Sequence, residues 1–152
     1  MSNEIFVFMK KKIAILGSTG SIGTTSLEIF KKDLKKFEII LLSAQSNYFL
    51  INKQIKKYKP KYFIIKDTKV FKKIKEKYKR KKIKIHNKFS DLNLKNKKFD
   101  ITISAIVGIA GLEPTIKFTS ISKKILLANK ETIICGWHIL EKICKKTKTS
   151  VS

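Results

Sequence analysis

The sequence predicts an α/β fold in which helices cover both faces of a parallel β-sheet. Short apolar runs alternate along the chain with segments whose apolar residues recur every three or four positions, as in amphipathic helices. The apolar runs are continuous, which is typical of strands buried on both faces. A glycine-rich turn joins the first such run to the first helical segment. This alternation predicts right-handed crossovers and a doubly wound sheet.

The first strand and the first helix flank the glycine-rich turn. Lys12–Leu16 is a short apolar run that ends at Gly17, as expected of a buried strand. A helix is predicted over Thr24–Leu34 because its apolar residues fall at helical spacing. The residues of this apolar stripe are Leu27, Phe30 and Leu34, widened by Ile29.

The same alternation continues along the rest of the sequence. Asn47 is predicted to cap a second helix that runs to Lys59, just before Pro60. Ile83–Ile85 is short enough for an edge strand, and Lys88–Lys98 is predicted to be a polar loop. The other predicted strands are Phe37–Ser43, Tyr62–Ile65, Asp100–Ala105 and Lys124–Leu127. The other predicted helices are Lys69–Tyr78, Leu112–Thr119 and Glu131–Lys146.

Several chemically reactive side chains are interpreted as structural. Cys135 and Cys144 lie nine residues apart without a C-x-x-C motif, so we expect free thiols and no metal site. His86 and His138 are isolated and are expected at the surface or in packing. The last helix carries a stripe at i, i+4, i+7 and i+11 that is predicted to face the core, with its tryptophan as a packing residue. That stripe is Ile133, Trp137, Leu140 and Cys144.

The composition is that of one soluble domain with a large excess of positive charge. No apolar run approaches the ~20 residues that span a bilayer, and Met1–Phe8 lacks the features of a secretory signal, so we expect a cytoplasmic protein without a membrane partner. The net charge of +24 would suit a nucleic-acid partner. However, arginine occurs once, at Arg80, while residues with AT-rich codons abound, and the lysines are spread along the chain despite a cluster at Lys72–Lys84. We therefore attribute the charge to compositional bias.

The turn Gly17–Gly23, GSTGSIG, has the placement of a phosphate-binding turn. Between a strand and a helix, glycines allow backbone N–H groups to approach a pyrophosphate, and the helix N-terminus adds partial positive charge. Ser18, Thr19 and Ser21 offer hydroxyl donors. The alternative is a tight turn without a ligand. In this context the motif favours a Rossmann-type dinucleotide-binding domain.

The residues after the second strand favour NADP over NAD. An acidic residue there would bind the ribose hydroxyls of NAD, but the sequence has Ala44 followed by Gln45, Ser46 and Asn47. With no carboxylate to repel it, a 2′-phosphate is tolerated here, and Ser46 and Asn47 can donate hydrogen bonds to it. None of them is basic, and Lys53 is a candidate to compensate.

Two further segments, SAIVGIAGLEPT at Ser104–Thr115 and ILLANKET at Ile125–Thr132, narrow the assignment. Together with GSTGSIG, in this order and spacing over Lys11–Lys146, they closely resemble 1-deoxy-D-xylulose 5-phosphate reductoisomerases. The resemblance implies NADPH contacts at Thr19, Gly20, Ser21 and Ile22, at Asn47, and at Asn129 and Glu131. It also implies a contact between Lys130 and the sugar-phosphate substrate. After the second strand, Gln45 and Ser46 depart from the glycine and lysine that the family often has at these cofactor-binding positions.

The resemblance also implies a reaction and its partners. The family rearranges 1-deoxy-D-xylulose 5-phosphate and reduces it with NADPH to 2-C-methyl-D-erythritol 4-phosphate for isoprenoid synthesis. A divalent metal (Mg, Mn or Co) acts as Lewis acid, and the full-length enzyme is expected to be a homodimer. We expect residues 1–152 to form the NADPH-binding domain, with 1–10 as an extension. The metal site, the catalytic residues and the C-terminal domain would lie beyond Thr149–Ser152, so no turnover is expected from this polypeptide alone.

Three alternatives stay open at this point. Another Rossmann oxidoreductase, such as a semialdehyde or homoserine dehydrogenase, would not be expected to combine LANKE with AIVGxAGL. An inactive dinucleotide-binding remnant would bind the cofactor without turnover. A basic nucleic-acid-binding protein would lose DNA steeply with salt and show no cofactor specificity.

Overall fold

The computed structural model describes residues 9–94 and 98–152 and contains a seven-stranded parallel sheet. The strand order is β4-β3-β2-β1-β5-β6-β7. The strands are β1 (Lys11–Leu16), β2 (Phe37–Ala44), β3 (Tyr62–Ile65), β4 (Lys84–His86), β5 (Phe99–Ser104), β6 (Ser122–Leu127) and β7 (Ser150–Val151). The helices are α1 (Ser21–Lys31), α2 (Tyr48–Tyr58), α3 (Thr68–Lys77), α4 (Leu112–Ser120) and α5 (Lys130–Thr147). Short 3₁₀ turns occupy Phe89–Asp91 and Ile109–Gly111.

The hydrophobic core lies in two layers, one on each face of the sheet. Alternate residues of β1 point to opposite faces, so Ile13 and Ile15 join one layer while Ala14 and Leu16 join the other. The first layer is completed by residues of α1, α2 and α3, namely Leu27, Phe30, Ile51, Ile55 and Ile74. The second contains Phe118 of α4. The predicted doubly wound α/β fold is therefore confirmed.

Helix α1 begins earlier and ends earlier than predicted. It starts at Ser21, inside the glycine turn, because Gly20 already accepts the backbone N–H of Thr24 at 2.9 Å. It ends at Lys31, so Leu34 lies beyond the helix and is 46% exposed. Only Leu27 and Phe30 of the predicted stripe are buried, since Ile29 is 59% exposed.

The buried face of α5 also differs from the prediction. Ile133 and Trp137 are each 45% exposed, and Cys144 is half-buried. The buried residues of α5 are Thr132, Gly136 and Leu140. A Cβ at Gly136 would meet the end of the Leu112 side chain, so α5 approaches α4 most closely at this glycine. Of the predicted stripe only Leu140 is buried, because periodicity places apolar residues on one face but does not show where small residues let two helices meet.

The segment predicted as a polar loop contributes to the core. Phe89 and Leu92 are buried in the second layer, and the Lys117 ammonium donates hydrogen bonds to both of their backbone carbonyls. Residues 95–97 of that predicted loop lie outside the described residues. Among the helices in the described ranges, none is long and apolar enough to cross a membrane.

Candidate dinucleotide site

The centre of the sheet contains the point where the strand order reverses. β1 lies between β2 and β5. From β1 the chain adds β2, β3 and β4 on one side of the sheet, and then returns to add β5, β6 and β7 on the other side. The segments that follow β1 and β5 therefore diverge at their carboxyl ends and leave a crevice. In open α/β sheets, ligands bind at this reversal.

The glycine turn after β1 is held tightly between its two neighbouring strands. The Gly17 N–H donates to the Ser43 hydroxyl at 3.0 Å, and the Ser18 N–H donates to the Ser43 carbonyl at 2.7 Å. Gly17 has a φ of 83°, and a Cβ there would lie 2.6 Å from the Ala105 carbonyl oxygen. A side chain at Gly17 would therefore be strained and would also collide with the segment after β5.

Ser18 is not available to a ligand, contrary to the prediction that its hydroxyl is a donor in the turn. It is fully buried, and its hydroxyl donates to the Gln54 side-chain oxygen at 2.6 Å. The Gln54 amide returns a 2.8 Å hydrogen bond to the Ser18 carbonyl. This pair fixes the turn to α2, whereas Ser21 is exposed and Thr19 is half-buried.

The start of α1 leaves backbone donors for a ligand. The N-cap residue is Gly20, which has no side chain to accept from the first turn. By contrast, α2, α3 and α5 are capped by the side chains of Asn47, Asp67 and Asn129. An anion at the start of α1 would accept the free N–H groups and would be favoured by the helix dipole.

A cleft of about 620 Å³ opens at this edge of the sheet. Its walls come from the turns after β1, β2, β3, β4 and β5. The lining residues are Gly17, Thr19, Gly20, Ser43, Ala44, Gln45, Lys66, Lys88, Phe89, Ser90, Ala105, Ile106, Val107, Ala110, Glu113 and Pro114. This volume is within the roughly 300–1,000 Å³ of cofactor and ligand pockets.

Three of the predicted site residues line this cleft: Thr19, Gly20 and Gln45. Seven others lie in the neighbouring turns but outside its lining: Ser21, Ile22, Ser46, Asn47, Asn129, Lys130 and Glu131. Asn47 caps α2 as predicted, because its side-chain oxygen accepts the Leu50 N–H at 3.1 Å. That oxygen is thus already used within the fold.

Asn129 joins the turns that follow β5 and β6. Its side-chain nitrogen donates to the carbonyls of Ile106 and Gly108, the latter at 2.9 Å, and its oxygen accepts the Thr132 N–H at 3.2 Å. The residue is 4% exposed. A Cβ at Gly111 would lie 2.5 Å from the same nitrogen, so the glycine makes room for the amide.

Lys130 and Glu131 open α5 beside this amide. Lys130 is exposed, and Glu131 is half-buried in the first turn, where a carboxylate is favoured by the helix dipole. Both follow the carboxyl end of β6, as predicted, at the same edge of the sheet as the glycine turn.

Lys66 and Lys88 line the cleft although the sequence analysis did not select them. Each follows the end of a strand, β3 and β4 respectively, by one or two residues. A basic residue in that position was the available signal, but abundant lysine elsewhere concealed it. Lys53, the residue considered for the 2′-phosphate, instead lines a separate hollow between α1 and α2.

The cysteines and histidines of the described segments form no metal centre. No group of three or more His, Cys, Asp or Glu in residues 9–94 and 98–152 could hold a metal ion. Cys135 is exposed, and burial raises the pKa of the half-buried Cys144 thiol. Burial lowers the pKa of His86, whose ring packs beside Tyr62 with centroids 6.3 Å apart.

Comparison with known proteins points to one family. The family model described as 1-deoxy-D-xylulose 5-phosphate reductoisomerase matches residues 13–136. The reductoisomerase of Pelagibacter ubique is 44% identical over 142 residues, which are 91% of this chain and 37% of the relative. The chain thus spans little more than a third of the length of the curated relatives it matches.

Solved structures agree with the sequence matches. The reductoisomerase from Zymomonas mobilis in complex with NADPH superposes with a TM-score of 0.84 at 25% identity, covering 94% of this chain and 38% of that one. A DOX-P reductoisomerase in complex with NADPH, fosmidomycin and magnesium gives 0.83 at 26% identity, over 93% of this chain and 35% of that one.

Proposed function

Because the chain belongs to the 1-deoxy-D-xylulose 5-phosphate reductoisomerase family, we propose that it binds NADPH in the cleft at the carboxyl edge of its sheet. Residues 1–152 would form the NADPH-binding domain, with residues 1–10 as an extension to it. The observation that carries the proposal is the uncapped start of α1, which opens from the glycine turn beside the cleft at the strand-order reversal.

The cofactor's pyrophosphate would lie against the glycine turn. Thr19 and Gly20 line the cleft, and the exposed Ser21 and Ile22 present the first N–H groups of α1. Gln45, with Ser46 and Asn47, would lie near the adenosine ribose, since these residues follow the carboxyl end of β2.

The segments after β5 and β6 would position the nicotinamide end. Both N–H donors of the Asn129 amide are used by Ile106 and Gly108, and its oxygen accepts the Thr132 N–H, so the side chain would orient these segments beside the cofactor. Glu131 would approach the cofactor from the first turn of α5. Lys130, exposed beside it, would attract the phosphate of a sugar-phosphate substrate.

In the whole protein, the proposed activity is the conversion of 1-deoxy-D-xylulose 5-phosphate to 2-C-methyl-D-erythritol 4-phosphate in isoprenoid synthesis. Bound NADPH supplies the hydride for the reduction. The residues of this chain hold the cofactor and exclude water from its buried side. The described residues offer no cluster that fits the divalent metal, so no step through it is assigned to them. We further propose a cytoplasmic enzyme that functions as a homodimer.

A charge placed at the start of α1 tests the NADPH site. We expect Ser21→Glu to weaken NADPH binding by at least about tenfold, because a carboxylate would repel the pyrophosphate at short range. An acidic residue in the first turn also favours the helix, so the fold should be preserved. The measurement is calorimetric titration of the chain with NADPH.

The matched control is Thr25→Glu, which adds the same charge to an exposed position one turn further along α1. We expect its affinity for NADPH to fall by less than about threefold. Absence of NADPH binding by the unmodified, folded chain would reject the proposed function. Equal losses in the two variants would place the cofactor away from the glycine turn.

A further inference from the structure

We propose that Lys66 and Lys88 together recognise the 2′-phosphate of NADPH and so determine the preference of the site for NADP over NAD. This inference rests on the proposed function, since it names the side chains that would bind the 2′-phosphate of the cofactor. The turn after β2 carries Gln45, Ser46 and Asn47 but no basic residue, so a cationic partner for the 2′-phosphate must come from another segment.

The turns after β2, β3 and β4 form one continuous wall of the cleft. The Lys66 N–H donates to the Ala44 carbonyl at 3.1 Å, and the Asp67 N–H donates to the Gln45 carbonyl at 2.9 Å. The Asn87 side chain then donates to the carbonyls of Ile65 and Lys66, at 2.7 and 3.2 Å. Both lysines therefore lie on the same wall of the cleft as Gln45, where the adenosine ribose is expected.

The acidic groups of this wall are already engaged by backbone donors. Asp67 accepts the Val70 N–H at 2.8 Å as the cap of α3, and Asp91 accepts the Lys88 N–H at 3.2 Å. Neither aspartate lines the cleft, and the one carboxylate among the lining residues, Glu113, belongs to α4 on the β5 side of the reversal. On the β2 side, the lining thus contains two lysines and no carboxylate.

Lys66 is placed by a neighbouring ring. Its ammonium lies 5.9 Å from the ring centroid of Phe89, whose side chain is buried and whose residue also lines the cleft. A cation–π contact of this kind holds the ammonium near the cleft without neutralising its charge. A dianionic phosphate would draw it away from the ring, because a charge-assisted hydrogen bond is the stronger interaction.

The test compares NADPH with NADH, which differ only in the 2′-phosphate, in titrations of the chain. We expect Lys66→Gln and Lys88→Gln each to weaken NADPH binding by about tenfold, the loss of one charge-assisted hydrogen bond, and to change NADH binding by less than about threefold. The matched control is Lys53→Gln, which removes the same charge from the hollow between α1 and α2 and should leave both affinities within about threefold of wild type.

Each outcome has one meaning. A selective loss for NADPH in the two cleft variants supports the inference. Equal losses for both cofactors, losses matched by Lys53→Gln, or a wild-type chain that binds NADPH and NADH equally would overturn it while leaving the proposed function intact. Binding of neither cofactor by the wild-type chain would overturn the proposed function and this inference with it. Circular dichroism of each variant confirms that the fold is retained.

Discussion

The side-chain amide of Asn129 joins the turn after β5 to the start of α5. The family resemblance implied an NADPH contact at this position, and that contact stays a prediction. What the sequence does not show is which groups accept the two N–H bonds of the amide, because these carbonyls lie 21 and 23 residues away in the turn after β5. Long-range pairings of this kind depend on the fold and cannot be read from spacing.

We predict that Asn129→Asp will destabilise the chain by about 2 kcal/mol or more at pH 8 and will cost more than Asn129→Ala. The aspartate keeps the acceptor for the Thr132 N–H but turns a charged oxygen towards two carbonyl oxygens. Burial and these carbonyls would raise the pKa of the new carboxyl above its unfolded value of about 3.9. The destabilisation therefore develops as pH rises above about 4 and narrows below it.

Urea unfolding of both variants and of the wild type, at pH 8 and near pH 4, measures these differences. The neutral alanine variant controls for loss of the hydrogen bonds alone. If Asn129→Asp were as stable as wild type at pH 8, the amide donors would not be holding the two turns together.

The glycine turn and α1 illustrate what sequence patterns can predict for an element. The strand–turn–helix order was predicted correctly, because it depends on local composition. The start of α1 was placed three residues late, because apolar periodicity begins only where the helix reaches the core at Leu27. Ser21 and Ile22 of the first turn are exposed, so their identities carry little helix signal. The buried face of α5 was predicted from its apolar residues, but α5 contacts α4 at Gly136, which adds nothing to an apolar pattern.

We predict that Gly23→Ala will destabilise the chain whereas Gly20→Ala will be tolerated. A Cβ at Gly23 would collide with backbone atoms of Gly17 and Ser18, which cannot move without opening the turn. The nearest atom to a Cβ at Gly20 would be the Gly17 carbonyl oxygen at 3.6 Å, an ordinary contact. Gly23→Ala should therefore lower stability by about 1–3 kcal/mol in spite of the better helix propensity of alanine, while Gly20→Ala should be tolerated.

Thermal unfolding followed by circular dichroism measures both variants against the wild type. The Gly20 variant controls for the general effect of removing a glycine from this segment. A stable Gly23→Ala variant would show that the helix does not approach the turn as closely as the structure indicates.

At the scale of the whole molecule, the sheet order decides which loops meet. The fold class and the crevice at the strand-order reversal could be predicted from alternation and handedness alone. That Lys66 and Lys88 line the same cleft could not be predicted, because this requires the turns after β2, β3 and β4 to lie side by side at one end of the strands. In a chain with 35 basic residues, charge counting does not distinguish these two from the rest.

This arrangement predicts that NADPH will give additional protection from hydrogen exchange at the carboxyl ends of the strands and none at their amino ends. At about 100 times its dissociation constant, a ligand specific for the folded state stabilises it by about 2.7 kcal/mol, which slows exchange through global unfolding at every site equally. Additional protection should appear only where NADPH orders local structure: the turn at Gly17–Gly23, the residues after β2, and the segment after β5. The amino ends of the strands include the start of β1, where the Lys12 N–H donates to Asp100 at 2.8 Å, and they should gain none of this additional protection.

Exchange measured by mass spectrometry with NADPH, with NADH and without ligand separates the global effect from the local one. Extra protection centred on the hollow between α1 and α2 would mean that the cofactor binds outside the cleft, and extra protection at both ends of the strands would mean that NADPH tightens the whole sheet.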